Sequence, residues 1–356
     1  MMMKTTGTTE KDPLTGLCGG INVGNSLDCF TEDGRVPDET AWGNPRITRD
    51  MIRMFAESGF RILRVPVTWD GHFIPGESDR ISPEWMNRVT EVVGWGLEEG
   101  MTVILNTHHE FRWLRAELSR LADILPRYRN LWVQIADHFR DTDHRLIFQG
   151  TNEPNLMGGD NCAWGSGNRD VRAAINAINH TFVRTVRESG GNNADRPLCI
   201  PCLAARPLPD CMRDMIMPKD DHLIFTVHCY CPDRFVFSRG DRYDTPFFDE
   251  KARDEVLAMF DDIRQFGLSH GVPMMITEFG AVAKKLPDGS GWNTQERLRF
   301  LNLFLRTAGD LGIPCVWWDN NYLESGDEAF ALFDRGSLTC RFPELVQALT
   351  GSQKKA

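Results

Sequence analysis

Residues 145–154 read RLIFQGTNEP, a short apolar run that ends in polar residues. The run has the length and composition of a buried strand, and the polar residues stand where such a strand would end. Runs of this kind recur along the whole chain and are separated by longer stretches, several of them amphipathic. We predict eight strands, at residues 20–25, 61–67, 102–107, 145–150, 198–202, 223–228, 273–277 and 313–318.

The longer stretches predict helices. Ser82 followed by Pro83 is a typical helix start, because a serine hydroxyl caps the first turn and proline lacks the N–H that would be unpaired there. Alternating strands and helices predict a parallel sheet covered by helices. Eight such units favour a closed α/β barrel, the (β/α)8 TIM-barrel fold, over a doubly wound sheet with its glycine-rich phosphate turn. We expect a single domain, with an N-terminal extension at 1–18, the barrel at 19–350 and a C-terminal tail at 351–356.

The composition argues against several partners. A formal net charge of -10 would repel a phosphate backbone, and Lys and Arg form no basic stripe. No apolar run approaches the roughly 20 residues that span a bilayer. We expect a monomer that binds neither nucleic acid nor membrane. The ten cysteines are too few for a disulfide scaffold, so we expect most of them to be buried thiols.

Polar or aromatic residues follow seven of the eight predicted strands. A barrel of this type builds its site at the carboxyl ends of its strands, so we expect these side chains to share one pocket. Two of them are glutamates, Glu153 in Thr-Asn-Glu-Pro and Glu278 in Thr-Glu-Phe-Gly. Two facing carboxyl groups suit hydrolysis of a glycosidic bond, because one donates a proton to the leaving oxygen while the other attacks or stabilises the anomeric carbon.

Two other kinds of function remain open on the residues alone. His108, His109 and Glu110 together with a distant histidine are candidate zinc ligands, as in a metal-dependent barrel hydrolase. Adjacent strand residues point to opposite faces, which disfavours this cluster. A non-catalytic sugar-binding barrel is the other alternative, although binding alone gives no reason for two opposed glutamates.

Several motifs resemble glycoside hydrolase family 5, the cellulase A family. Asn-Glu-Pro at 152–154 is similar to its acid/base motif, and Thr-Glu-Phe-Gly at 277–280 is similar to its nucleophile motif. GNSLD at 24–28 and ETAWGNP at 39–45 further resemble its subfamily 4 of endoglucanases and xyloglucanases. The match runs from about Gly19 to Leu349 and includes, in order, RVPV at 64–67, HHE at 108–110, HCY at 228–230 and WWDN at 317–320.

The resemblance implies a retaining, endo-acting hydrolase of β-1,4-glucosidic bonds, with Glu153 as general acid/base and Glu278 as nucleophile. Its substrate would be a cellulose-type, mixed-linkage or xyloglucan polysaccharide, with β-mannan as an alternative, and it would need no cofactor or metal. The implied substrate-binding residues are Asn25, Arg64, His108, His109, Asn152, His228, Tyr230 and Trp318.

The resemblance also implies a role for each residue type. The residues matching Arg64 and Tyr230 hold the nucleophile, and Asn152 would donate to the sugar 2-hydroxyl. The histidines would bind sugar hydroxyls or orient the proton of Glu153. Trp318 would stack under a glucosyl ring, whereas Trp317 would pack in the barrel wall. We expect an extracellular enzyme, although residues 1–17 lack the apolar core of a signal peptide, which leaves a mature form or an intracellular enzyme open.

The sequence departs from the family beside the acid/base. Asn155 stands where members commonly carry Arg, and Gln149 and Thr151 replace the usual Glu and Met. A retaining mechanism predicts that the carboxyl groups of Glu153 and Glu278 lie about 5 to 5.5 Å apart. Because two nearby carboxylates do not both ionise readily, the pKa of Glu153 should be raised.

Overall fold

The computed structural model describes Leu14 and residues 19–31, 38–77, 79–156, 167–240, 244–324 and 326–351. Eight parallel strands form a closed barrel in sequence order, with β8 pairing to β1. The predicted barrel is confirmed, and every predicted strand coincides with an observed one to within a few residues. The barrel strands are β1 Gly20–Asn22, β2 Ile62–Val65, β3 Thr102–Asn106, β4 Leu146–Gln149, β5 Leu198–Pro201, β6 Leu223–Cys229, β7 Met274–Phe279 and β8 Cys315–Trp317.

Helices cover the barrel between successive strands. Ser82 caps α2 as predicted, since its hydroxyl accepts from the backbone N–H of Trp85. None of the described helices is long and apolar enough to cross a membrane. The helices are α1 Arg49–Glu57, α2 Pro83–Glu98, α3 Leu121–His138, α4 Arg169–Glu188, α5 Pro209–Met212, α6 Asp233–Val236, α7 Glu250–His270, α8 Thr294–Asp310 and α9 Pro343–Gly351.

The interior of the barrel consists of an apolar layer below a polar one. The apolar layer closes the amino-terminal end of the barrel, and Leu14 packs into it. Two positions further along several strands, the inward-facing residues become polar, because side chains on one face of a strand recur with a period of two. The apolar layer comprises Ile62, Ile104, Ile147, Cys199, Ile224, Met275 and Val316, and the polar layer includes Asn22, Arg64, Asn106, Gln149, Thr226 and Thr277.

A small antiparallel hairpin, β9 Phe333–Asp334 with β10 Thr339–Cys340, follows the last barrel strand. Arg335, in its turn, is fully buried and donates to Asp319 Oδ1 at 2.8 Å and to the backbone oxygen of Gly24 at 2.8 Å. This contact ties the loop after β1 to the loop after β8. The hairpin therefore supports the carboxyl-terminal rim of the barrel.

Eight of the ten cysteines lie in the described residues, and all eight are free thiols. Burial raises the pKa of the Cys199 thiol to about 12. Six of the eight are buried, Cys231 is half-buried and Cys340 is exposed, which agrees with the expectation that most of the cysteines are buried thiols. Cys18 and Cys162, the rest of the extension at 1–18 and residues 352–356 of the tail lie outside the described residues.

Candidate active site

Arg64 anchors the polar layer at the centre of the barrel. Its Nη1 donates to Glu278 Oε1 at 2.6 Å, and the same guanidinium donates to the amide oxygens of Asn22, Gln149 and Asn152 at 2.6 to 2.8 Å. Arg64 is fully buried. Since the three amides are neutral, Glu278 supplies the negative charge that balances the buried guanidinium.

Glu278 projects from β7 and receives donors at both carboxylate oxygens. Tyr230 Oη donates to Glu278 Oε2 at 3.0 Å, while Arg64 holds Oε1. A register shift between Val227 and His228 on β6 places His228 opposite Glu278. The structure thus brings to this carboxylate Arg64 and Tyr230, which the resemblance implies, and also His228, whose Nδ1 lies 3.5 Å from Oε2.

Glu153 follows β4 and shares His228 with Glu278. Its Oε1 lies 2.7 Å from His228 Nδ1, and its side chain is 16% exposed. Burial raises the pKa of Glu153 to about 7, opposed by the nearby cations Arg64 and Arg206. Burial also lowers the pKa of His228 to about 4. Of the two residues, Glu153 is therefore the one that binds a proton as the pH falls through about 7, as a proton donor requires.

The separation of the two carboxyl groups limits the chemistry. One carboxyl oxygen of Glu153 lies within 4.8 Å of one carboxyl oxygen of Glu278. This limit for one pair of oxygens is compatible with the predicted separation of about 5 to 5.5 Å between the carboxyl groups. The geometry suits direct attack by one carboxylate and proton donation by the other.

The rings of Trp318, after β8, and of His108, after β3, are neighbours at the carboxyl-terminal end of the barrel. Their rings are parallel, with an interplanar angle of 5° and centroids 5.8 Å apart. Gly24 packs against the indole so closely that a Cβ there would lie 2.6 Å from it. Trp317 instead is fully buried in the barrel wall and donates to the backbone oxygen of Phe330, as predicted.

Asn106 determines which nitrogen of His108 carries the proton. Asn106 Oδ1 accepts from the backbone N–H of Val67, so its Nδ2 is the atom 2.9 Å from His108 Nδ1. An amide nitrogen only donates, so Nδ1 is the acceptor and the neutral ring carries its hydrogen on Nε2. His108 is thereby a hydrogen-bond donor to the site, and this tautomer has no Nε2 lone pair for a metal.

The prediction that His108 and His109 diverge is wrong. Both residues follow the last residue of β3, so strand alternation no longer separates them, and their ring centroids lie 4.4 Å apart. One possible metal-ligand atom from each of His108, His109 and Asp28 lies within 4.8 Å of the other two. Glu110 is not part of this cluster, because its carboxylate accepts hydrogen bonds from the backbone N–H of Trp69 and from the Trp113 indole N–H. The His-His-Glu motif therefore does not converge as a ligand set.

Aromatic rings extend the site away from Trp318. The centroid of His109 lies 5.1 Å from that of Phe30, 5.8 Å from that of Trp42 and 4.9 Å from that of Phe111. Trp42 is 39% exposed. Asn25 lies in the neighbouring loop with a φ of 55°, and Asp28 accepts its backbone N–H. This side of the site therefore carries a cluster of aromatic rings, of which Trp42 is exposed to solvent.

Some site residues were missed by the sequence reasoning. One of them is Trp42, in the ETAWGNP motif at 39–45, where a tryptophan in a loop motif is a signal for an exposed platform. Asn22 and Gln149 accept from Arg64, and Gln149 was noted only as a departure from the family. The period of two along β1 and β4 places both residues inside the barrel, so the alternation did contain this information.

The chain is similar to known proteins over nearly its whole length. The family model described as Cellulase (glycosyl hydrolase family 5) matches residues 29–324. Endoglucanase A of Ruminococcus albus is 35% identical over 336 residues, covering 94% of this chain and 90% of the relative. A GH5-4 broad specificity endoglucanase from Ruminococcus champanellensis, solved with bound cellotriose, superposes with a TM-score of 0.87 at 36% identity, covering 96% of this chain and 100% of the other. XEG5A, a xyloglucan-specific endo-beta-1,4-glucanase from a metagenomic library, gives a TM-score of 0.88 at 31% identity, covering 96% and 98%.

Proposed function

This chain belongs to glycosyl hydrolase family 5, and on that premise we propose that it is a retaining endo-β-1,4-glucanase with Glu153 as general acid/base and Glu278 as nucleophile. One observation carries the assignment of roles. The two carboxyl groups approach within 4.8 Å, yet Glu278 is the one paired with the buried Arg64, while Glu153 contacts His228 and keeps a raised pKa of about 7.

In the first step, a carboxylate oxygen of Glu278 attacks the anomeric carbon and the glycosidic C–O bond breaks. Glu153 transfers its proton to the departing oxygen, so the leaving sugar departs as a neutral alcohol. The product of this step is a glycosyl ester of Glu278. Arg64 and Tyr230 hold the attacking carboxylate in place throughout.

In the second step, Glu153 acts as the base. Its carboxylate removes a proton from water, and the water oxygen attacks the anomeric carbon while the ester bond to Glu278 breaks. Glu153 regains its proton and Glu278 regains its charge. Two inversions at the same carbon retain the β configuration.

Neighbouring side chains supply contacts to the sugar. Asn152 Oδ1 accepts from Arg64, which leaves the amide NH2 of Asn152 as the group that donates to the 2-hydroxyl. His108 offers Nε2–H, and Trp318 offers an apolar ring face for the C–H face of a glucosyl unit. His109, Asn25 and Trp42 extend the binding surface beyond Trp318.

The substrate is a β-glucan polysaccharide. A cluster of neighbouring aromatic rings beside the site suits binding of several sugar units of a chain, which supports endo-acting cleavage. Relatives named as broad specificity and xyloglucan-specific enzymes support cellulose-type, mixed-linkage and xyloglucan substrates. A β-mannanase activity is the second candidate, since mannan would differ from glucan mainly in its hydroxyl contacts with the same residues.

A substrate screen tests this function directly. We expect reducing sugar to be released from carboxymethylcellulose, barley β-glucan and xyloglucan faster than from mannan, and we expect the rates to be unchanged by EDTA. Activity confined to mannan would replace the glucanase assignment. Loss of activity with EDTA that zinc restores would favour a metal-dependent hydrolase. Absence of hydrolysis on all four polymers would favour a sugar-binding barrel.

The pH profile tests the role of Glu153. Its carboxyl must be protonated in the first step, and its pKa is raised to about 7. We expect kcat/KM on a soluble β-glucan to fall as the pH rises through about 7, because the proton is then lost. A profile with no basic limb up to about pH 9 would contradict the assignment.

We further propose a single catalytic barrel from residue 19 to 350, with 1–18 and 351–356 as flanking segments. The enzyme would act as a monomer outside the cell, since polysaccharides are too large to enter it. Size-exclusion chromatography with light scattering checks this state.

A further inference from the structure

A loop beside the site is closed at its base by a buried ion pair. Arg88, on the covering helix α2, donates from Nε to Glu39 Oε1 at 2.9 Å and from Nη2 to Glu39 Oε2 at 2.9 Å. Arg88 is 8% exposed and Glu39 is 4% exposed. A planar guanidinium that binds both oxygens of a carboxylate fixes the direction of the contact as well as pairing the charges.

The same two side chains also hold the other end of the loop. Arg88 Nη2 donates to the backbone oxygen of Ile47 at 2.6 Å, and Glu39 Oε2 accepts from the backbone N–H of Ile47 at 3.1 Å. Residues 39 and 47 are thereby joined to each other and to α2. We call Glu39, Ile47 and Arg88 the loop anchor, and residues 40–46 the Trp42 loop.

The Trp42 loop also contacts residues of the site. The indole N–H of Trp42 donates to the backbone oxygen of Phe30 at 3.2 Å, and the Trp42 ring centroid lies 5.8 Å from that of His109. Asn44 Nδ2 donates to the backbone oxygen of Asn25, in the loop after β1. The loop therefore connects an outer helix to the aromatic rings of the site, and the position of the indole depends on how the base of the loop is held.

We propose that Arg88 is a positioning residue for substrate binding, which acts through Glu39 and Ile47 to hold Trp42 against the neighbouring rings. Helix α2 packs against β2 and β3, whereas the reacting carboxyl groups follow β4 and lie on β7. The effect of Arg88 is therefore expected in KM rather than in kcat. This effect rests on the proposed function, whereas the restraint of the loop does not.

Arg88→Lys tests this role, because lysine keeps the charge but lacks the planar fork that binds both carboxylate oxygens. On soluble barley β-glucan we expect KM to rise roughly 5-fold, as for the loss of one aromatic contact, and kcat to change by less than about twofold. Glu39→Gln removes the charge of the other partner and should raise KM by a similar factor. An unchanged KM in both variants, or a fall in kcat alone, would refute the proposal.

A double-mutant cycle tests whether Arg88 acts through Trp42. Trp42→Ala should raise KM by itself, and adding Arg88→Lys to it should raise KM little further, because the group that Arg88 positions is already absent. Two independent effects would instead multiply the two KM ratios in the combined variant. That outcome would contradict positioning through Trp42.

Hydrogen exchange tests the restraint of the loop without any substrate. Backbone amides of residues 39–47 should exchange about 10-fold faster in Arg88→Lys than in the wild type, because the base of the loop opens more often. Unchanged exchange in this segment would overturn the proposal.

A second arginine pair on α2 provides the control. Arg49, at the start of α1, lies 2.6 Å from Glu98 of α2, but both side chains are about half exposed. Arg49→Lys should leave KM and the exchange of residues 39–47 near wild type, since an exposed pair contributes little. If the wild type hydrolyses no β-glucan, the proposed function fails instead, and hydrogen exchange still decides whether Arg88 holds the loop.

Discussion

Replacing Glu278 by Ala is expected to lower kcat/KM by more than about 10⁴-fold, on polysaccharide and on activated aryl glycosides alike. No carboxylate then attacks the anomeric carbon, so a better leaving group brings no recovery. The variant also loses the negative charge that balances Arg64 inside the barrel. A buried charge left without its partner destabilises the fold by roughly 3 kcal/mol, so a lower Tm is expected as well.

Azide distinguishes lost chemistry from lost structure in this variant. The small anion fits the space vacated by the carboxylate, next to the Arg64 guanidinium, and attacks from the side on which Glu278 lay. We expect recovery of activity on an aryl β-glycoside and formation of the inverted α-glycosyl azide, identified by NMR. Glu188→Ala on the exposed face of α4 is the control and should remain near wild type. A retained β-azide from Glu278→Ala would mean that the two glutamate roles are swapped.

Replacing Glu153 by Ala is expected to separate the two kinds of substrate. Hydrolysis of polysaccharide should fall about 10³-fold, because the leaving alcohol no longer receives a proton. A dinitrophenyl cellobioside should still form the intermediate and give a burst of phenolate, since its departure requires no acid. The basic limb near pH 7 should disappear with the group that titrates there, whose pKa burial raises.

The products with azide complete this test. In Glu153→Ala the anion attacks the intermediate from the face opposite Glu278, so the expected product is the retained β-glycosyl azide. Pre-steady-state kinetics measure the burst, and NMR assigns the anomeric configuration. An inverted azide, or a variant that loses both substrates equally without a burst, would contradict the role of Glu153 as acid/base.

The fold was largely predictable from the sequence because its signals are local. Each barrel strand is a short apolar run, and the eight predicted strands coincide with those observed. The polar residues after the strands lie around one site, because the carboxyl ends of parallel strands meet at one end of a barrel. The pairings of Glu278 with Arg64 and with Tyr230 were expected from the family resemblance and are present.

The contacts between loops were not predictable in the same way. Strand alternation led to the wrong expectation for His108 and His109, since the strand ends at Asn106 and the rule ends with it. Glu110 was grouped with the histidines, but its carboxylate turns towards the backbone of Trp69. Such outcomes depend on where a strand stops and on which neighbouring loop offers donors.

The sequence by itself determined the barrel and the positions of the two glutamates and of the side chains around them at the ends of the strands. This is possible because a buried strand is a short apolar run whose side chains alternate between its two faces. Only the tertiary structure decided the approach of the two carboxyl groups to within 4.8 Å and the tautomer of His108. These features join atoms from separate strands and loops. Their distances follow from how the barrel closes and how its loops pack, and neither leaves a periodic pattern in the chain.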